Sequence, residues 1–200
     1  KSAAEMRYAL ESGILCFNVE SPAELARLAG VASEIGRRAP VSFRVNPDVD
    51  ARTHPYISTG LKENKFGVEF DAALDLYREA ARLPQIEVVG IDCHIGSDLI
   101  EYAPLIEALD KMLGLVDRLV AEGIRLRHLD LGGGLGIRYR DETPPDVAAY
   151  MREVFERVGG QVAAAIFSAG AAHLAADRIA APRVSDERHR GRGVGGDQDQ

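Results

Sequence analysis

Four short runs of this chain share one property: each alternates apolar residues with small or polar ones, and each stands beside a helical stretch. They are ILCFNVE (14–20), VSFRVNP (41–47), IEVVGIDCHIG (86–96) and LRHLDLGGG (126–134). Helical spacing marks residues 3–12, 22 to about 38, about 71–83, 103–123 and about 145–158. Ser21 opens the second helix with Pro22 at its first position and Glu24 at capping-box spacing, and Gly123 ends the fourth. Such alternation implies parallel strands joined by crossover helices.

Side-chain parity separates the two architectures that fit. Leu15, Phe17 and Val19 alternate with Cys16, Asn18 and Glu20; Val41, Phe43 and Val45 alternate with Ser42, Arg44 and Asn46. Val89, Ile91 and Cys93 alternate with Gly90, Asp92 and His94, and Leu129 and Leu131 with His128, Asp130 and Gly132. A doubly wound sheet packs both faces under helices and wants both apolar. A barrel packs one face on helices and turns the other to its lumen. Burying Arg44, Asp92, His94 and Asp130 unpaired costs several kcal/mol each. At a barrel mouth they can pair with each other and with a ligand. The expected fold is therefore α/β, a partial (β/α)8 TIM barrel with four of its eight strands in this chain.

Residues 1–158 carry that pattern, and residues 159–200 break it. An Ala-rich run there leads to a Pro- and Arg-rich stretch and then Gly, Asp and Gln. Two readings stand for this tail: disorder, or a segment foreign to the fold, such as an out-of-frame translation. The opening KSAAEM, with no initiator Met, suggests a piece of something longer. A net charge of −7 gives no support to a nucleic-acid or anionic-membrane partner. No apolar run approaches the ~20 residues of a membrane span. Cys16 and Cys93 have neither metal-ligand nor disulfide spacing, which fits reduced thiols in the cytoplasm. No metal site is expected.

Chemistry gathers at the strands' carboxyl ends. In LDLGGGLG (129–136), Gly132, Gly133 and Gly134 leave backbone N–H groups open to an anion, the plain alternative being a flexible turn. The spacing is neither the dinucleotide fingerprint, since position 137 is Ile137, nor a P-loop. In CHIGS (93–97), His94 points to the lumen by parity, as a stacking or acid–base imidazole or as a satisfied core histidine, and Ser97 stands ready to donate to a phosphate. Arg44 needs acceptors, with Asp92 or Asp130 available; contact with a cofactor is the equal alternative. THPYISTGLKENKFG (53–67) reads as a solvated loop, or as a lid or subunit contact.

Taken together, FRVNPDVDARTHPYISTGLKENKFGV, GIDCHIGS and LDLGGGLGI, in this order and at these separations, resemble the diaminopimelate decarboxylases. These belong to the fold-type III pyridoxal-phosphate enzymes, with ornithine and arginine decarboxylases and alanine racemase. The resemblance covers about residues 1–158. It implies barrel strands four to seven of an alanine racemase-like barrel, with pyridoxal 5'-phosphate as cofactor. His94 would stack on the pyridine ring, and Ser97 with the backbone at Gly132, Gly133 and Gly134 would hold the phosphate. Arg44 would lie near the cofactor or its supporting network. The implied reaction is loss of CO2 from meso-diaminopimelate to give L-lysine, in a cytoplasmic protein that is a homodimer when full length.

The departures from the family pattern shape the expectation too. The cofactor-bearing lysine, the Glu-Pro-Gly-Arg loop and the C-terminal β domain with its Cys-Glu-Ser segment find no match in this chain. No catalytic residue is therefore assigned, and this chain alone is expected to lack decarboxylase activity. Asp98 stands where the family usually has Gln. The alternatives are a decarboxylase of ornithine, arginine or carboxynorspermidine, a phosphate-binding barrel unrelated to the vitamin, and a non-catalytic cofactor-binding barrel. The THPYISTG loop argues against the last.

Overall fold

All strand pairs described are parallel, and their spatial order follows the chain. The structure, a computed structural model, describes residues 1–50, 66–138, 140–159, 162 and 164–166. Its elements are α1 (Ala3–Ser12), β1 (Phe17–Val19), α2 (Pro22–Glu34), β2 (Ala39–Asn46), β3 (Val68–Glu69), α3 (Phe70–Arg82), β4 (Ile86–Asp92), α4 (Ala103–Ala121), β5 (His128–Asp130), α5 (Val147–Val158) and β6 (Ala164–Ile166). The sheet runs β1-β2-β4-β5-β6, with β3 paired to the end of β2. A doubly wound sheet reverses its strand order at a switch point. This sheet does not reverse, so it forms an arc of a (β/α) barrel, as parity predicted.

The parity holds in the packing except at Leu15, which lies before β1 and is 70% exposed, so the first apolar position of that run belongs to the connection and not to the strand. Phe17, Val19, Val41, Phe43, Val45, Val89, Ile91, Cys93, Leu129 and Leu131 are buried in the core. That core includes Leu25 and Leu28 of α2, Leu76 and Tyr77 of α3, and Leu109, Met112 and Leu119 of α4. Capping differs in detail from the expectation. Ser21 does cap α2 by accepting from the Glu24 amide, but the Glu24 carboxylate accepts from the Glu20 amide instead. The closed capping box belongs to Ser2 and Glu5 at the start of α1.

Two strands go beyond the expected four. β3 is too short to show a period. β6 lies past residue 158, inside the expected tail, and registers Ala164, Ala165 and Ile166 against His128, Leu129 and Asp130. The sheet thus runs on past that boundary, because the open edge of β5 offers a ladder to an Ala-rich run whose own preference is helical. Residues 167–200 lie outside the described residues, as does most of the 53–67 loop.

Tyr77 joins the helix layer to the sheet. Its ring is fully buried edge-on against Phe43, with centroids 4.8 Å apart, and its hydroxyl donates to the Gly90 carbonyl at 2.8 Å. Gly90 adjoins a β-bulge, where Val41 and Ser42 register with Val88 and Gly90. Tyr77→Phe should cost about 1–2 kcal/mol, because it strands that carbonyl in the core. Urea unfolding measures this; an unchanged midpoint would show that the hydrogen bond does nothing for the bulge.

Candidate active site

Register builds the site in two rungs. The lower rung is Asn18, Ser42, Gly90 and His128. The upper rung, toward the strands' carboxyl ends, is Arg44, Asp92 and Asp130, with Glu20 following β1. In the lower rung the His128 ring lies across Gly90, and a Cβ at Gly90 would fall 2.1 Å from Nε2. The Cys16 thiol reaches Nε2 at 3.6 Å and Asn18 Oδ1 at 3.6 Å. Among the described residues, Ser42 Oγ is the one buried side-chain polar atom with no partner.

Arg44 finds a different acceptor from the two expected. Its Nη1 donates to Glu20 Oε1 at 3.3 Å, not to Asp92 or Asp130. The guanidinium also stands over the Phe66 ring, 5.3 Å from its centroid, and Glu20 Oε2 accepts from the Gly67 amide at 3.3 Å. Glu20 and Phe66 are thus site residues that sequence reasoning did not single out. Glu20 was visible on the polar face of β1, but only the leaning of Arg44 toward that strand selects it.

His94 and the glycine loop meet as their shared position at the strand ends suggested. The Gly133 amide donates to His94 Nδ1 at 3.5 Å, and Asp130 Oδ1 accepts from the Gly132 amide at 2.8 Å. Gly132 has φ +64°, and a Cβ there would come within 2.6 Å of His94 Nδ1. Beyond it the loop runs beside residues 96–100. The Leu99 amide donates to the Gly134 carbonyl at 2.8 Å, and the Gly136 amide to the Leu99 carbonyl at 2.8 Å. Gly134 is needed twice over: its φ is +110°, and a Cβ would lie 2.1 Å from the Gly96 carbonyl oxygen. Ser97 is exposed at the same mouth, and Asp98 takes a positive φ of 57°.

Burial sets the electrostatics. It pushes the Asp92 carboxyl, with help from neighbouring Asp130, up to about 7, and it raises Asp130 as well. Burial and then Arg44 lower His94, and burial lowers His128, so both imidazoles favour the neutral form. Cys16 is raised, first by burial and then by Asp130 and Asp92, which keeps it a thiol. An uncharged ring, glycine amides and a hydroxyl thus share one mouth, a set that suits a flat, phosphorylated heterocycle. No helix among the described residues is long and apolar enough to cross a membrane.

Comparison with known proteins agrees with this chemistry. Residues 1–170 match the family model for the pyridoxal-dependent decarboxylase, pyridoxal binding domain. A diaminopimelate decarboxylase of Pseudomonas aeruginosa is 55% identical over 189 residues, covering 94% of this chain and 46% of that protein. One from Pseudomonas fluorescens is 60% identical over 171 residues, covering 85% of this chain and 41% of that protein. The crystal structure of diaminopimelate decarboxylase from Helicobacter pylori complexed with L-lysine superposes with a TM-score of 0.81 at 42% identity, covering 84% of this chain and 42% of that one. The chain spans less than half the length of the curated relatives it matches.

Proposed function

The chain belongs to the pyridoxal-dependent decarboxylases through their pyridoxal binding domain, and from that premise we propose that it forms the cofactor-holding part of an enzyme that decarboxylates meso-diaminopimelate to L-lysine. The observation that carries the reading is the contact of His94 with the glycine turn. One imidazole and three glycines meet where the strands of a barrel end. Similarity to diaminopimelate decarboxylases at 55–60% identity supports the substrate. We also assign the full-length protein to the cytoplasm and to a homodimer, on the same resemblance.

Each residue then has a task. His94 offers a neutral ring face for the cofactor's pyridine to stack on. Gly134, whose amide has no acceptor among the described residues, and Ser97 bind the phosphate. Gly133 joins them by giving up its long hydrogen bond to His94. Gly132 contributes shape more than a donor, because its amide is held by Asp130. Arg44, braced by Glu20 and Phe66, supplies a fixed cation at the rim. When bound, pyridoxal phosphate supplies the electron sink for loss of CO2, and the protein supplies orientation and electrostatics. Residues 159–166 extend the barrel domain on this reading.

Two measurements test it. Equilibrium dialysis of the chain should show saturable pyridoxal 5'-phosphate binding that His94→Ala weakens at least ~10-fold, about the 1–2 kcal/mol of one stacked aromatic contact. In a protein of the relatives' full length carrying this segment, CO2 release from meso-diaminopimelate should exceed that from ornithine or arginine by at least ~100-fold. A preference for either of those amino acids overturns the substrate assignment.

A further inference from the structure

We propose that Cys16, Asn18 and His128 form a site for a borderline-soft divalent cation such as Zn2+, in the lower rung of the lumen. The site is built by the barrel arc itself and stands whether or not a cofactor binds in the rung above.

Three donors surround one centre. Cys16 Sγ lies 3.6 Å from His128 Nε2 and 3.6 Å from Asn18 Oδ1. A tetrahedral zinc keeps sulfur at about 2.3 Å, imidazole nitrogen at about 2.0–2.1 Å and oxygen at about 2.0–2.2 Å. At a tetrahedral angle those bond lengths set both S···N and S···O at about 3.6 Å. Hydrogen bonding alone serves the set less well. A thiol has one proton to give, and two acceptors stand at equal range. A cation engages all three donors at once. Asp92 and Asp130 face the same lumen one rung up, and their charge bears on Cys16. The local field therefore favours a cation over an anion.

An orphaned hydroxyl marks the same rung. Cys16 precedes β1 and His128 lies on β5, with β2 and β4 between them. They meet because the intervening positions of the rung are small, Ser42 and Gly90, and the His128 ring lies across Gly90. Ser42 is registered between Asn18 and Gly90 and faces the lumen, since Val41 and Phe43 on either side of it belong to the core. It is fully buried, and its Oγ has no partner. A buried hydroxyl left so is costly. Three protein ligands leave the fourth position of a tetrahedral ion to a water, and that water supplies the missing partner.

Spacing along the chain gives no sign of the site, which is why no metal was expected. Sulfur and imidazole are 112 positions apart. The third donor is an amide, and no three His, Cys, Asp or Glu side chains gather among the described residues. Binding breaks the Cys16 S–H bond, forms the sulfur–metal bond and releases the proton to solvent, with no change of oxidation state. The bound ion ties β1 to β5 across two intervening strands.

Co2+ reads such a site directly, because a cobalt thiolate has a charge-transfer band in the near ultraviolet. Titration of the whole chain with Co2+ should raise this band in a single saturable step, and Zn2+ should abolish it. The other cysteine, Cys93, is buried in the core on the opposite face, so the band reports Cys16. Cys16→Ser should remove the band. Ser42→Ala, which takes away only the partner of the metal-bound water, should weaken Co2+ binding by about 10-fold, and His128→Gln should weaken it more. One readout needs no variant: excess Zn2+ should block alkylation of Cys16 by iodoacetamide in the folded chain. Absence of the thiolate band at every Co2+ concentration overturns the site, as does alkylation of Cys16 at one rate with and without Zn2+. A band that survives in Cys16→Ser, or that His128→Gln leaves unmoved, overturns it as well.

Discussion

Gly134→Ala should destabilise the chain by about 3 kcal/mol and abolish measurable pyridoxal phosphate binding. Two costs add. The residue sits at φ +110°, where a Cβ is strained by roughly 1–2 kcal/mol or more. The new methyl would also lie 2.1 Å from the Gly96 carbonyl oxygen and 3.1 Å from its carbon. Those atoms are backbone and cannot rotate away, so the two loops must part, at an overpacking cost of about 1–3 kcal/mol. Parting them breaks the ladder in which the Leu99 amide donates to Gly134 and the Gly136 amide donates to Leu99. It moves Ser97 away from the glycine turn as well. Urea unfolding gives the stability and equilibrium dialysis the binding. A variant within ~0.5 kcal/mol of the parent, the scatter of an ordinary surface change, would show that the loops are not in contact.

That loop contact could not be read from the sequence, although the residues that make it could. Three glycines after a strand suggested open amides waiting for an anion. In the structure Gly132 is already spoken for by Asp130, and Gly134 is required as much by Gly96 as by any ligand. Proximity of His94 to the loop was legible, because both lie at carboxyl ends of strands and the parity of Ile91, Cys93 and Gly90, Asp92, His94 fixes which way each points. The same period of two gave the barrel. It could not give the bulge at Gly90, since an inserted residue changes register without changing composition. Nor could it choose between acids for Arg44: Glu20, Asp92 and Asp130 all face the lumen, and only the three-dimensional lean of the guanidinium toward β1 selects Glu20. β3 and β6 escaped for a different reason. At two and three residues, with one Ala-rich, their strand character comes from the neighbour they pair with and not from themselves.

Gly90→Ala should cost about 1–3 kcal/mol, and unlike Gly134→Ala it should be rescued by a second substitution. Gly90 has no positive φ, so an alanine there strains no backbone. The contacts that a Cβ would make fall on one side chain: His128 Nε2 at 2.1 Å, Cε1 at 2.4 Å and Cδ2 at 2.6 Å. His128 is 5% exposed, and Cys16 Sγ lies 3.6 Å from Nε2, so the ring has little room to retreat. His128→Ala alone opens a cavity in the lower rung and also destabilises. In the double variant the alanine methyl occupies part of the space the ring has left. The two changes should therefore fall short of additivity by roughly 1–2 kcal/mol, within the range seen for residues in direct contact. Four urea melts complete the cycle. Strict additivity would mean that the ring does not rest on Gly90 and that the bulge, not the histidine, demands a glycine there.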